Sequence, residues 1–172
     1  MPQDEGLKRD IEVTQYARSL YPDADILVDA NDGFTMNTMA EYLSSAADVR
    51  LFWIEEPFQE RWEDFRQLRQ LLAAAQSSAL IADGEYDPQL AKVLSLAADK
   101  LLDVALMDVI GFGLTGWRRV MPELVDLGVQ ASPHAWGIPL KTLYAAQIAA
   151  GLGNVITVEG VPGTTSGADT SG

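Results

Sequence analysis

Residues able to do chemistry recur in this sequence at the ends of short apolar runs. Ile26–Val28 is followed by Asp29, Leu51–Ile54 by Glu55 and Glu56, and Ala79–Ala82 leads to Glu85. Val104–Met107 delivers Asp108, and Val155–Val158 delivers Glu159. Val129–Ser132 delivers His134, the only histidine of the chain. Successive members stand 23 to 30 residues apart, about one strand–helix unit of a (β/α) barrel, which averages roughly 30 residues. In parallel strands the carboxyl ends open on one side, so the six groups are expected on one rim. Five acids there would repel one another without a cation. Three carboxylates on consecutive strands suit a hard divalent ion such as Mg2+, which takes oxygen ligands. Asp108 and His134, closing neighbouring strands, are expected to meet as a carboxylate–imidazole pair.

The elements between these residues read as helices. Asp10–Leu20 carries Ile11, Val13, Tyr16, Ala17 and Leu20 mostly at helical spacing, and Pro22 stops it. Thr35 is an N-cap for a helix with Met36, Met39, Ala40 and Leu43 on one face. Trp62, Phe65, Leu68 and Leu72 mark the next helix, and Asp87-Pro88 starts the one that buries Leu90, Val93, Leu94 and Ala97. Thr115 is expected to cap a helix buried through Trp117, Val120, Met121 and Leu124, with Pro122 in or near its first turns. Pro139 opens a helix with Leu140, Leu143, Tyr144 and Ile148 on one face, ended by Gly151 and Gly153. The tail Gly163–Gly172 is rich in Gly, Ser and Thr and is expected to be disordered. Six alternations of strand and helix mean α/β class, with parallel strands and helices outside them. An open doubly wound sheet and a barrel both satisfy that pattern. Gly111-Phe112-Gly113 lacks the third glycine of a dinucleotide-binding loop.

Composition narrows the function classes. At 172 residues with 48% hydrophobic content the chain is globular, and one domain is expected. A net charge of −13 argues against a nucleic-acid surface and against anionic membranes. No cysteine is present, so thiolate metal sites and Cys nucleophiles are excluded. No apolar run reaches the length of a membrane span, and Met1–Asp10 has no apolar signal core. A soluble, cytoplasmic protein is expected.

The motifs LVDAND, WIEEP, the Gly-Glu after the third strand run, LMDV with its following TGW, SPH and the final Glu159 carry a resemblance. In this order they resemble the barrel domain of the enolase superfamily, on the mandelate racemase/muconate lactonizing enzyme branch with its acid-sugar dehydratases. The resemblance covers about residues 7–162 and implies a partial TIM-type (β/α) barrel of about six units. It implies Mg2+ as cofactor, bound by Asp29, Glu55 and Glu85. Asp108 and His134 would form the base dyad, and Glu159 would face the substrate carboxylate as an acid or hydrogen-bond donor. Asn31 and Glu56 would act behind the metal or on its water. Trp136, on the loop after His134, is a candidate for the pocket wall, whereas Trp53 lies within a strand and is expected in the core.

The chemistry implied is removal of the proton α to a carboxylate. Mg2+ on that carboxylate stabilises the enediolate, and superfamily members use a Lys or His base with Mg2+. Asp108 would orient His134 and favour its protonated form. Loss of a β-hydroxyl then gives a 2-keto acid, with His134 returning its proton to the leaving group. The family's barrel usually begins with two further strands, the second often carrying a Lys-x-Lys pair, after an N-terminal capping domain. This chain starts in the helix after those strands, and Lys8 is not such a pair. Residues 1–162 are therefore expected to be an incomplete barrel domain. With one visible base, a dehydratase of a sugar acid is expected over a racemase or epimerase of a 2-hydroxy acid. A non-catalytic partial barrel associated with another chain is the alternative from a different class. The expected partner is a small carboxylate substrate, and a homo-oligomer is expected in full-length form.

Overall fold

The computed structural model describes residues 3–59, 61–85 and 89–160. The expected helix start at Asp87-Pro88 and the expected disordered tail lie outside them. The chain divides into two compact units, one ending at Ile81 and the other starting at Ala82.

The first unit holds α1 (Gln3–Leu20), β1 (Leu27–Asp29), α2 (Met36–Ser45), a short 3-10 turn, β2 (Trp53–Glu55), α3 (Trp62–Ala74) and the start of β3 (Leu80–Asp83). β1 and β2 are parallel, with Leu27 opposite Trp53, Val28 opposite Ile54 and Asp29 opposite Glu55. The Leu80 N–H donates to the Phe52 carbonyl at 2.9 Å, which lays β3 beside β2. Met39, Tyr42 and Leu43 of α2 and Phe65, Leu68 and Leu72 of α3 are buried, as is Trp53. Thr35 caps α2 as expected: its side chain accepts the Thr38 N–H, and Thr38 answers on the Thr35 backbone, a reciprocal cap.

The stripe expected on α1 is not its buried face. Val13, Tyr16 and Leu20 are exposed, while Leu7 and Thr14 are buried. The Thr14 hydroxyl donates to the Asp10 carbonyl at 2.7 Å and meets the Tyr42 hydroxyl at 2.9 Å. A hydroxyl with partners loses little on burial, so hydrophobicity alone misplaced the face. Burial pushes the Tyr42 phenol up, against the lowering effect of Thr14. Pro22 does not end α1 alone. Arg18 donates to the carbonyls of Tyr21, Pro22, Ala24 and Val49 at 2.7–3.1 Å, tying the helix end down.

The second unit holds the rest of β3, α4 (Leu90–Ala98), β4 (Val104–Ala105), α5 (Gly113–Leu127), β5 (Gln130–Ala131) and α6 (Pro139–Leu152). Ala82 and Asp83 pair in parallel with Val104 and Ala105, which pair in turn with Gln130 and Ala131. The strand order among the described residues is β1-β2-β3-β4-β5. The sixth expected strand is reduced to one bridge, Ala131 to Val155. Around it the Ala131 N–H donates to Asn154 and the Ile156 N–H donates to Ala131, both at 2.9 Å.

α5 differs from expectation at its start. It begins at Gly113 without a side-chain cap, so Thr115 lies inside the helix and Pro122 sits in its interior. A helical proline lacks the N–H that would bond four residues back. Trp117, Val120, Met121 and Leu124 are buried as expected, and that packing outweighs the lost bond. Gly128, at φ 75°, ends the helix by donating to Leu124 and Val125, a left-handed cap that favours glycine. α6 starts at Pro139 as expected, but Leu140 and Leu143 are exposed and the buried residues are Ala145 and Ile148. Among the described residues no helix is long and apolar enough to cross a membrane.

Candidate active site

In the first unit two acids close paired strands. Asp29 ends β1 opposite Glu55, which ends β2. The next turns are strained: Asn31, Asp32 and Glu56 have φ of 44°, 59° and 41°, a left-handed region that costs most residues about 1–3 kcal/mol. Backbone bonds hold them there. The Ala30 N–H donates to Glu55 at 3.0 Å and the Asp32 N–H to Glu56 at 2.8 Å. This conformation brings Asn31 back onto Asp29. Its backbone N–H donates to Oδ1 at 2.9 Å and its Nδ2 to Oδ2 at 2.7 Å. A carboxylate has about four lone-pair sites, so each Asp29 oxygen keeps one beyond its bond to Asn31. Glu56 is buried.

In the second unit four expected residues come together. β3 ends in buried Asp83, whose Oδ1 accepts the Gly84 N–H at 2.6 Å. Gly84 turns the chain at φ 112° with the Leu106 backbone 3.7 Å from where a Cβ would stand, and Glu85 follows. The Asp108 and His134 backbones form a parallel bridge beyond β4 and β5. That bridge brings Asp108 Oδ2 to 3.2 Å from His134 Nδ1. On the other side of the ring, Nε2 lies 3.3 Å from Glu85 Oε2 and 3.9 Å from Glu159 Oε2. Glu159 is anchored by the Ala135 N–H, which donates to Oε2 at 2.6 Å. Trp136, two residues beyond His134, is half exposed.

Asp108 is held by donors on both carboxylate oxygens. Oδ1 accepts the N–H groups of Ile110 and Gly111, each at 2.8 Å. Oδ2 accepts Lys141 Nζ at 2.6 Å. Partial burial pushes the carboxyl pKa up, but the bonds from Lys141, Gly111 and Ile110 outweigh it and bring it down to about 2. Asp108 is thus an anion near neutral pH, and its Oδ2 is an acceptor 3.2 Å from the imidazole Nδ1.

Lys141 was not among the expected site residues. It is the third residue of α6, where a cation opposes the helix dipole. A lysine so placed calls for an acidic partner, and that was the available signal. Its partner's identity was not readable, because Asp108 lies 33 residues earlier.

The residues expected to hold Mg2+ fit a hard cation in donor type, since all three offer carboxylate oxygens and Asp29 keeps acceptor capacity. Among the described residues no group of three or more His, Asp or Glu side chains already has metal-holding geometry.

Residues 2–169 match the model of the enolase C-terminal domain-like family. The chain belongs to that family. Its α/β fold with parallel strands is that of a partial TIM-type barrel, as the motif order implied. D-galactarolactone cycloisomerase of Agrobacterium fabrum is 26% identical over 150 residues, covering 86% of this chain and 38% of that protein. Galacturonate dehydratase of a Geobacillus species, solved with D-galacturonate and 5-keto-4-deoxy-D-galacturonate, superposes with a TM-score of 0.88 at 30% identity. The match covers 93% of this chain and 43% of the dehydratase. The mandelate racemase/muconate lactonizing protein of Geobacillus sp. Y412MC10, solved with magnesium and tartrate, gives the same TM-score and identity over 93% and 42% of the two chains. The chain therefore spans about two-fifths of the length of these relatives.

Proposed function

We propose that this chain carries the base and metal-binding residues of a Mg2+-dependent acid-sugar dehydratase. The observation that carries the reading is the single histidine set between Asp108 on Nδ1 and Glu85 and Glu159 near Nε2. Asp108, held as an acceptor, makes Nδ1 the protonated nitrogen, and Nε2 is then the atom that takes the substrate's α-proton. The same Nε2–H later returns its proton to the β-hydroxyl as it leaves, so one residue serves as base and acid. Asp29, Glu55 and Glu85 would hold Mg2+, with Asn31 fixing Asp29 and Glu56 supporting from behind. When bound, the ion would supply the positive charge that stabilises the enediolate of the substrate carboxylate. Glu159 Oε2 is committed to the Ala135 N–H, so a proton donated toward substrate would come from Oε1. Trp136 would line the pocket.

D-galacturonate is the probe of choice, because a 30% identical relative binds it. The protein with Mg2+ and D-galacturonate in deuterated water is expected to exchange the α-proton, read by NMR. His134→Asn is expected to abolish exchange while leaving Mg2+ binding intact. Exchange retained in the variant would remove His134 as the base. A racemase or epimerase would return substrate of inverted configuration instead of keto acid.

A second reading has an observation of its own. β1 stands at one end of the strand order, and Leu27 on it is 41% exposed. A strand edge of this kind pairs readily with another chain, which suits a non-catalytic partial barrel. Size-exclusion chromatography with no exchange activity in the associated form would favour it.

A further inference from the structure

We propose that Lys141 is a positioning residue of the His134 centre, competing with the imidazole for one oxygen of Asp108. The inference rests on the reading of Asp108 and His134 as the base pair. Oδ2 of Asp108 receives two donors, Lys141 Nζ at 2.6 Å and His134 Nδ1 at 3.2 Å. The first is as short as a charge-assisted bond, ordinarily about 2.7–2.9 Å. The second stands at the long end of the ordinary range of about 2.7–3.2 Å. The other oxygen cannot relieve the competition, because Oδ1 already accepts the Ile110 and Gly111 N–H groups. All of the roughly four lone-pair sites of the carboxylate are in use. Asp108 cannot move toward the imidazole without lengthening its bonds to Lys141 or to the 110–111 turn.

Lys141 is held in that role by its surroundings. Its side chain is 21% exposed, against 78% for Lys8, and its place in the first turn of α6 is unfavourable for a cation without a partner. The lysine and the two backbone donors clamp the carboxylate, and the lysine takes the larger share of Oδ2. The imidazole is oriented through Nδ1 by a bond that is kept long. Removing the ammonium releases Oδ2 to His134, and the Nδ1–H bond shortens.

With one histidine in the chain, the ring 15N and Nδ1–H signals need no assignment. In Lys141→Met the Nδ1–H proton resonance is expected to move downfield, while Lys141→Arg keeps it near its wild-type position. In an Asp108→Asn background, Lys141→Met is expected to have no further effect. An unmoved resonance in Lys141→Met, with the native 15N–1H fingerprint retained, overturns the proposal. So does an equal shift in the Asp108→Asn background. The wild-type protein gives a measurement independent of variant folding. The Lys141 ammonium protons are expected to exchange with water more slowly than those of Lys8, and equal rates overturn the proposal. The two readings fail separately. If Asp108→Asn leaves the Nδ1–H signal unmoved, the base pair itself falls. If that variant moves the signal and Lys141→Met does not, only the role of Lys141 falls.

Discussion

Two strand-end aspartates, one in each unit, begin from the same local device and finish differently. Asp29 accepts the backbone N–H of Asn31, and Asp108 accepts the backbone N–H of Ile110, each two residues on. Asp29 receives its second donor from the same residue, through Asn31 Nδ2. It is exposed and keeps acceptor capacity on both oxygens. Asp108 receives Gly111, His134 and Lys141 as well, the last two from 26 and 33 residues away. An aspartate held locally with lone pairs to spare is suited to accept a cation. An aspartate filled by local backbone donors on one oxygen and distant side chains on the other is suited to orient a neighbour. One residue type at one kind of strand end thus acquires two different hydrogen-bonding environments, through the number and origin of its donors.

The sharpest way to break that contrast is at the histidine. His134→Asn is expected to remove α-proton exchange entirely, as NMR in deuterated water would show, with the Mg2+-induced rise in Tm unchanged. Loss of the Mg2+ response as well would mean that the two aspartates serve one function and not two.

Asp108→Ala comes next in size. It strips the partner from Lys141, which is partly shielded from water, and from the exposed Ile110 and Gly111 N–H groups. A cost of about 2–3 kcal/mol in urea unfolding is expected. Asp29→Ala, at an exposed position with only Asn31 to lose among the described residues, is expected to cost less than about 1 kcal/mol. Equal costs would erase the distinction between the two sites.

Acid titration sharpens it further. The Asp108 pKa is depressed from an ordinary 3.8 to about 2. Its stabilising contribution is fully present above about pH 4 and is lost as pH falls toward 2, because the unfolded chain binds that proton first. The shift corresponds to about 2 kcal/mol, read as falling stability across that window. In Lys141→Met the loss in the same window is expected to be smaller.

The smallest effect concerns Asn31. Asn31→Ala is expected to weaken Mg2+ binding by about tenfold, the lower end for losing a residue that orients a metal ligand. Calorimetric titration would detect it, and unchanged affinity would show that Asp29 needs no support.

Most of the elements and the family were legible in the amino-acid sequence, the elements through local regularities and the family through the order of its motifs. Apolar runs end in Asp29, Glu55, Asp108 and His134, and β1, β2, β4 and β5 follow those runs with ends shifted by a residue or two. The pairing of Asp108 with His134 followed from one rule, that neighbouring parallel strands open on the same side. The helix faces were read less well where polar burial intervened. Thr14 is buried because Tyr42 and the Asp10 carbonyl satisfy its hydroxyl, and no periodicity of apolar residues encodes that. The interior Pro122 is tolerated because four neighbouring side chains of α5 are buried, a compensation supplied by packing. Lys141 marks the limit most plainly. Its place against the helix dipole called for an anion, but only the folded chain decides that the anion is Asp108, and that His134 must share the same oxygen.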